Sequence, residues 1–439
     1  MKLRLLAALP AITALLLAGG VDAAHAVPDV TDPFATLAAG SEPSHILVDG
    51  AGDIYTLNTG NESISKIHPD GTFDGSFHAE FPSFSQPNSF ASDGHGSLFV
   101  SSYLASTVWR IDGVTGDIDS RFSARLGAEL AGELPQAVAV DLLGNIFVAT
   151  HSPAAVVKIA PTGDLLGRYP LAVGSGPVDV TTDWTGSVYT ANAADDTVSR
   201  VSFDGSGTAT VDTGFAVLAS GAMPISLTSN SRGMLYTANS GDNTVSSIDL
   251  TLPPGAAPAT TTLMPPDSYP YNVTADRQGN VFVTNLGTAS ISLFESDGRF
   301  TPVVAQLSIT ETPEAAAVSG YGQLYTANAL SSTVSRFGLA PAFSSVPVGP
   351  AQVGDSYSSP VTVTGLDPVT FSTVGFLPPG VAVDAGTGTL AGTPTTAGTF
   401  TFDLVAANVA GATAQTVTII VAPAPGSTGC WYWHEACGL

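Results

Sequence analysis

Basic residues are scarce in this chain: 13 Lys and Arg stand against 37 Asp and Glu, a formal net charge of −24. Such a surface repels phosphate backbones and anionic headgroups, which makes nucleic acid a poor partner. Cysteine is rarer still. Cys430 and Cys437 are the only two, and a bridge between them would do little for the main core. Long apolar runs are missing beyond the first residues, because Val417–Ala422 is only strand-sized. No later segment therefore predicts a transmembrane span. The strong enzymatic signatures are absent too: there is no G-x-S-x-G elbow, H-E-x-x-H helix, paired C-x-x-C or phosphate loop. Disorder is excluded, since apolar residues make up 44% of the chain and recur in strand-like patterns.

The amino terminus predicts export. Lys2 and Arg4 precede an apolar run from Leu5 to Leu17, and Ala24-His25-Ala26 fits a small-residue cleavage site. This pattern is a secretory signal peptide over residues 1–26, too short to cross a bilayer. No cysteine follows the run to carry a lipid anchor. The mature chain is expected to be soluble and secreted: extracellular, at the cell surface, or periplasmic. Without Lys2, Arg4 and Asp22, 11 of the 13 basic and 36 of the 37 acidic residues remain, a net charge of −25.

One phrase recurs along the body of the chain. "YTANSGDNTVSSID" at Tyr236 has near copies at Tyr189 and Tyr325. Aligned on its aromatic, the repeat places Tyr55, Phe99, Phe147, Tyr189, Tyr236, Phe282 and Tyr325 at intervals of 44, 48, 42, 47, 46 and 43 residues. Twelve positions before every aromatic stands a proline: Pro43, Pro87, Pro135, Pro177, Pro224, Pro270 and Pro313. Each unit predicts a short strand opening on the proline, where a missing N–H costs little. A turn follows, often Asp-x-x-Gly as in Asp183/Gly186, and then the aromatic strand. A polar loop, a third strand and a variable fourth strand complete the unit. Four strands in each of seven such units predict a seven-bladed β-propeller, whose blades bury their apolar faces against one another. The last unit lacks its fourth strand, and Phe34–Ala38 is expected to supply it and close the ring. Five Asn residues (58, 192, 239, 285 and 328) have Ser or Thr five positions later, a spacing that predicts loop hydrogen bonding rather than five binding sites.

"YTAN…TVS" and "FVTN" resemble the YVTN-type repeat, and "AVAVDLLGNIFVA" resembles an NHL repeat. The resemblance covers roughly residues 33–340 and implies a propeller. It leaves function open, since related propellers serve as binding platforms, surface proteins, lactonases and lyases. The Trp-Phe-Thr-Glu strand pattern of streptogramin-lyase relatives is missing.

From residue 341 the period is lost and strand-length Thr/Val/Gly stretches take over, ending near residue 422. Their spacing predicts a β-sandwich. The turn-rich run Leu377–Pro394 and the following "TTAGTFTFDLVAANVAG" resemble an Ig-like domain of bacterial surface proteins, which implies a spacer or adhesive module. The fold class expected is thus all-β, a seven-bladed propeller followed by an Ig-like sandwich. Residues 423–439 read as a linker and a Cys-bounded tail carrying Trp431, Tyr432 and Trp433. In an oxidising compartment Cys430 and Cys437 predict a disulfide, with a metal site shared with His434 as the less favoured alternative. The tail aromatics could grip sugars, cell wall or protein.

Chemistry is expected at the channel mouth, where the innermost strands begin and the polar loops open. Residues just after the prolines become candidate ligand-binding positions there: His45, Asn88, Asp179, Asn272 and Glu314, with His151 in the loop of the third unit. Their oxygen-rich set suits Ca2+ or Mg2+, although no cofactor is firmly implied. The leading expectation is a secreted or surface-associated binding protein for an extracellular protein, glycan or cell-wall ligand, rather than an enzyme. The alternative is a metal-dependent lactonase- or lyase-like enzyme at the mouth.

Overall fold

The computed structural model describes residues 29–252, 259–320, 322–345, 351–365, 369–408 and 411–424. The signal-peptide reading falls outside these residues, as do Cys430, Cys437, Trp431, Tyr432 and Trp433. Among the described residues no helix is long and apolar enough to cross a membrane.

Seven sheets make up the first body, six of four strands and one of three. Every innermost strand begins at one of the repeated prolines, from Pro43–Val48 to Pro313–Val318. Each innermost strand packs beside the next, and Pro313–Val318 returns to Pro43–Val48, so the ring is closed. The aromatic slot is buried in all seven blades. Its side chains sit in clusters shared by neighbours: Tyr55 and Leu57 pack with Phe90, Leu98 and Ile111 of the second blade. Each such burial contributes about 1.5–3 kcal/mol.

The ring closes through the amino-terminal strand. Asp29–Thr36 pairs antiparallel with Thr333–Gly338 as the outermost strand of the last sheet. It starts five residues earlier than the expected Phe34, and the register breaks between Thr31 and Ala35, around Pro33. Ser335 donates to Asp32 Oδ1 at 2.7 Å, and the Arg336 guanidinium lies 4.8 Å from the Phe34 ring.

The second blade departs from the expected four strands. Its outermost element is a helix, Ser120–Glu129, capped by the Asp119 carboxylate, which accepts the Arg121 and Phe122 N–H groups. The physical reason is the period: Phe122, Leu126 and Leu130 recur every four residues and enter one core cluster with Val138, Ile146 and Val157 of the third blade.

The second body is the Ig-like sandwich. One sheet contains Ala351–Gln352, Gly411–Ala422, Gly398–Asn408 and Thr370–Gly375; the other contains Tyr357–Ser359, Leu390–Gly392 and Val381–Val383. Phe371, Leu390, Phe402, Leu404, Val417 and Ile419 fill the space between them. One side chain ties it to the end of the propeller, Asn408 donating to Leu339 O at 2.7 Å, while Thr413 donates to Pro341 O at 2.5 Å at the start of the sandwich.

Candidate functional site: the loop face of the propeller

Strand register brings two loop sets to one face. The innermost strand pairs its proline with the last residue of the aromatic strand, as in Pro224↔Asn239 and Pro270↔Asn285. The loop entering each blade and the loop leaving its aromatic strand therefore lie side by side. Backbone bonds weld them: Ser240 N–H donates to Met223 O at 3.3 Å, and Leu286 N–H to Tyr269 O at 3.1 Å.

The repeated phrase supplies the loop's internal frame. Asn239 donates to Thr244 Oγ1 at 3.0 Å, as its spacing predicted, and also to Ser246 Oγ at 2.8 Å, while Thr237 donates to Asn239 Oδ1 at 2.9 Å. Asn58, Asn192 and Asn328 repeat all three bonds. Asn285 keeps the two donated bonds, but its Oδ1 is buried without a partner. Val283 stands where the other four units with this Asn have threonine: Thr56, Thr190, Thr237 and Thr326. On the opposite face Asp183 Oδ1 accepts the Thr185 and Ser187 N–H groups of its own turn at 2.8 and 3.0 Å, a framing role.

The candidate ligands after the prolines do share the ring of innermost strands. Most are bonded into it. An innermost strand pairs along one edge only, so amides on its free edge need other acceptors. The second residue after a proline answers the third residue after the next. Asp179 Oδ2 accepts Leu227 N–H at 2.9 Å, Ser226 Oγ accepts Val273 N–H at 3.3 Å, and Asn272 Oδ1 accepts Ala316 N–H at 3.3 Å. Ala137 cannot serve Val180 in this way, and Asp179 Oδ1 takes that amide instead, at 2.9 Å. Asn88 donates to Gln136 Oε1 at 3.0 Å, and Asn272 to Ser226 Oγ at 3.2 Å. His45 Nδ1 shares a hydrogen bond with Ser44 at 3.0 Å, its ring edge-on to Phe90. Glu314 is half-buried on the last innermost strand. Among the described residues no three His, Cys, Asp or Glu side chains gather closely enough to hold a metal. Asp179 and Asn272 thus stitch neighbouring innermost strands together.

His151 stands apart. It ends the aromatic strand of the third blade, exposed on the loop face, with Gly176 beside it; a Cβ at Gly176 would come 3.2 Å from its Cε1. Desolvation holds its pKa below the usual histidine value, which favours the neutral imidazole.

Sequence reasoning missed what the loops present to solvent. Phe84, Met223 and Tyr269 sit in the entering loops at 86%, 44% and 53% exposure. All three have positive φ: +65°, +51° and +48°. Such backbone costs a bulky residue about 1–3 kcal/mol. Each is held by the loop of the preceding blade. Glu62 accepts the Phe84 N–H at 2.8 Å, Asp196 the Met223 N–H at 2.8 Å, and Asn243 the Tyr269 N–H at 2.9 Å. Leu104 and Leu330 stand exposed in the adjoining loops, and Val173 and Ile309 in further entering loops. The available signal was the slot three residues before each proline, which reads Gly40, Gly132, Gly174 and Gly221 but Phe84 in the second unit. A notch lined by Thr59, Gly60, Asn61, Glu62, Ser83 and Phe84 opens here.

Comparison with known proteins agrees with this architecture. Residues 340–422 match a family described as "Putative Ig domain". The solved structure of a streptogramin B lyase is similar at 16% identity over 71% of this chain and 97% of that one, with a TM-score of 0.58. Virginiamycin B lyase from Staphylococcus aureus is similar at 16% identity over 71% and 99%, TM-score 0.58. The RRP9 WD40 repeats are similar at 10% identity over 72% and 99%, TM-score 0.53. At these identities the likeness shows the propeller fold alone. No curated protein matches the chain.

Proposed function

We propose that this chain is a secreted or surface-associated binding protein whose propeller presents its loop face to an extracellular protein, glycan or cell-wall partner. The Ig-like domain serves as its spacer. One observation carries the reading: exposed apolar side chains are held out from the loops of that face, several on costly positive-φ backbone that a neighbouring blade pins in place. Exposed apolar groups of this kind mark interaction surfaces. YVTN- and NHL-type repeats commonly form such platforms, which supports the same reading.

The test is retention on isolated cell envelopes. A loop-face variant, Met223→Ser with Tyr269→Ser and Leu330→Ser, is expected to lose retention. A variant of the opposite face, Leu142→Ser with Trp184→Ser, is expected to keep it. Equal retention of both would overturn the proposal; loss only on deleting residues 430–439 would move binding to the tail.

A second reading, a lactonase- or lyase-like enzyme at the channel mouth, draws support from the exposed His151, whose lowered pKa favours the free-base imidazole. Its test is turnover of lactone substrates with added Ca2+ or Mg2+, lost on His151→Ala. No turnover would remove it.

A further inference from the structure

The slot three residues before the proline adopts left-handed backbone in six of the seven blades. Gly40, Gly132, Gly174 and Gly221 take φ of +80°, +82°, +82° and +85°, and Asp267 takes +58°. Glycine adopts this region freely and Asp tolerates it. Phe84 occupies the same slot at +65°. The residue is 86% exposed, so packing does not explain it. Costly backbone at an exposed aromatic points toward a function.

The neighbourhood is rigid and built. Glu62 accepts the N–H groups of Phe84 at 2.8 Å and Gln86 at 3.0 Å. Gly60 N–H donates to Ser41 O at 2.9 Å, and a Cβ at Gly60 would strike Gly40 O at 2.2 Å. Asn61 donates to Ser41 Oγ at 3.3 Å and accepts from Ser63 at 2.8 Å. Beside the ring lies the notch of about 390 Å³ lined by Thr59, Gly60, Asn61, Glu62, Ser83 and Phe84.

The lining combines one free aromatic face with hydroxyls, a carboxamide and a carboxylate already holding two N–H groups. It contains no cationic side chain, and the chain carries a net charge of −24, so an anionic ligand is repelled. An aromatic face rimmed by neutral donors and acceptors suits a pyranose ring, whose C–H face is apolar and whose edge carries hydroxyls. We infer that the notch between the first and second blades is a subsite for a neutral saccharide, with Phe84 as its stacking platform. This rests on the loop-face reading above and names its ligand class.

The test titrates the mature chain calorimetrically with cellohexaose, chitohexaose and maltohexaose. At least one is expected to bind, with an affinity insensitive to salt because no charge is paired. Phe84→Trp should retain binding, and Phe84→Ala should weaken it about tenfold or more. Phe84→Gly should lose binding while raising the melting temperature, since it relieves the positive φ. Failure of all three sugars, or wild-type binding by Phe84→Ala, would overturn the inference. So would salt-sensitive capture of a lysine decapeptide in place of sugar, which would show Glu62 to be the recognising group. If the sugars fail while envelope retention still depends on Met223 and Tyr269, the subsite falls and the platform stands.

Discussion

The Asp179 carboxylate accepts the backbone N–H of Leu227 across the boundary between the fourth and fifth blades, at 2.9 Å. Its other oxygen holds the N–H of Val180 at 2.9 Å. Asp179→Ala leaves two amides of innermost strands without acceptors, and a loss of about 2–3 kcal/mol is expected in denaturant unfolding. Asp179→Asn keeps one acceptor and should cost about half as much. A stable Asp179→Ala variant that had lost a stoichiometric Ca2+ or Mg2+ would show that this carboxylate holds a metal rather than the strand amides.

Asn285 carries the one loop oxygen of its kind without a partner, opposite Val283. Val283→Thr supplies the hydroxyl that Thr237 supplies to Asn239 and is expected to be neutral or stabilising by up to about 1 kcal/mol. The reverse change, Thr237→Val, should destabilise by about 1–2 kcal/mol. Equal losses in the two variants would show that the hydroxyl's own burial, not the Asn oxygen, governs the site.

Lys66 is enclosed by carboxylates, 3.2 Å from Asp53 and 3.6 Å from Asp74, with its side chain 8% exposed. Lys66→Ala leaves both acids facing each other without their cation, and a cost of about 2–4 kcal/mol is expected. A Lys66→Met variant keeps the aliphatic stem without the charge, so a loss as large as that of Lys66→Ala would assign the cost to the missing cation rather than to lost packing.

Tyr55 donates to Gly113 O at 2.8 Å and to Asp49 Oδ2 at 3.2 Å. Burial, then the Asp49 charge, pushes its pKa up to about 12 from the usual 10. Burial also raises Tyr189, Tyr236 and Tyr325 in the same slot. A raised folded pKa contributes stability that is complete below pH 10 and is lost as pH climbs toward 12. Melting temperature should therefore fall across that window, less steeply in Tyr55→Phe. A flat profile from pH 9 to 12 would contradict the assignment.

What could be read in the sequence was local and repeated. Proline and aromatic lie twelve residues apart, Asn precedes its Thr by five, and Asp precedes its turn Gly by three; such offsets lie within one blade. Even so, the repeat implies a fourth strand in every blade, whereas the four-residue period of Phe122, Leu126 and Leu130 makes a helix in the second. The ring partners lie farther off. Leu227 is 48 residues beyond Asp179, and Ser335 is 303 beyond Asp32.

The sequence by itself determined the propeller and the sandwich, because strand, turn and loop signals act over a dozen residues and the repetition multiplies them. Only the tertiary structure decided which polar side chains were already committed. Asp179 and Asn272 stand in the sequence only as polar residues after a proline, and closing the ring places the free-edge amides of the next blade against them. It also decided which apolar residues stayed outside. Phe84 carries no local signal of exposure, and it is the pinned, left-handed loop that holds it out in water.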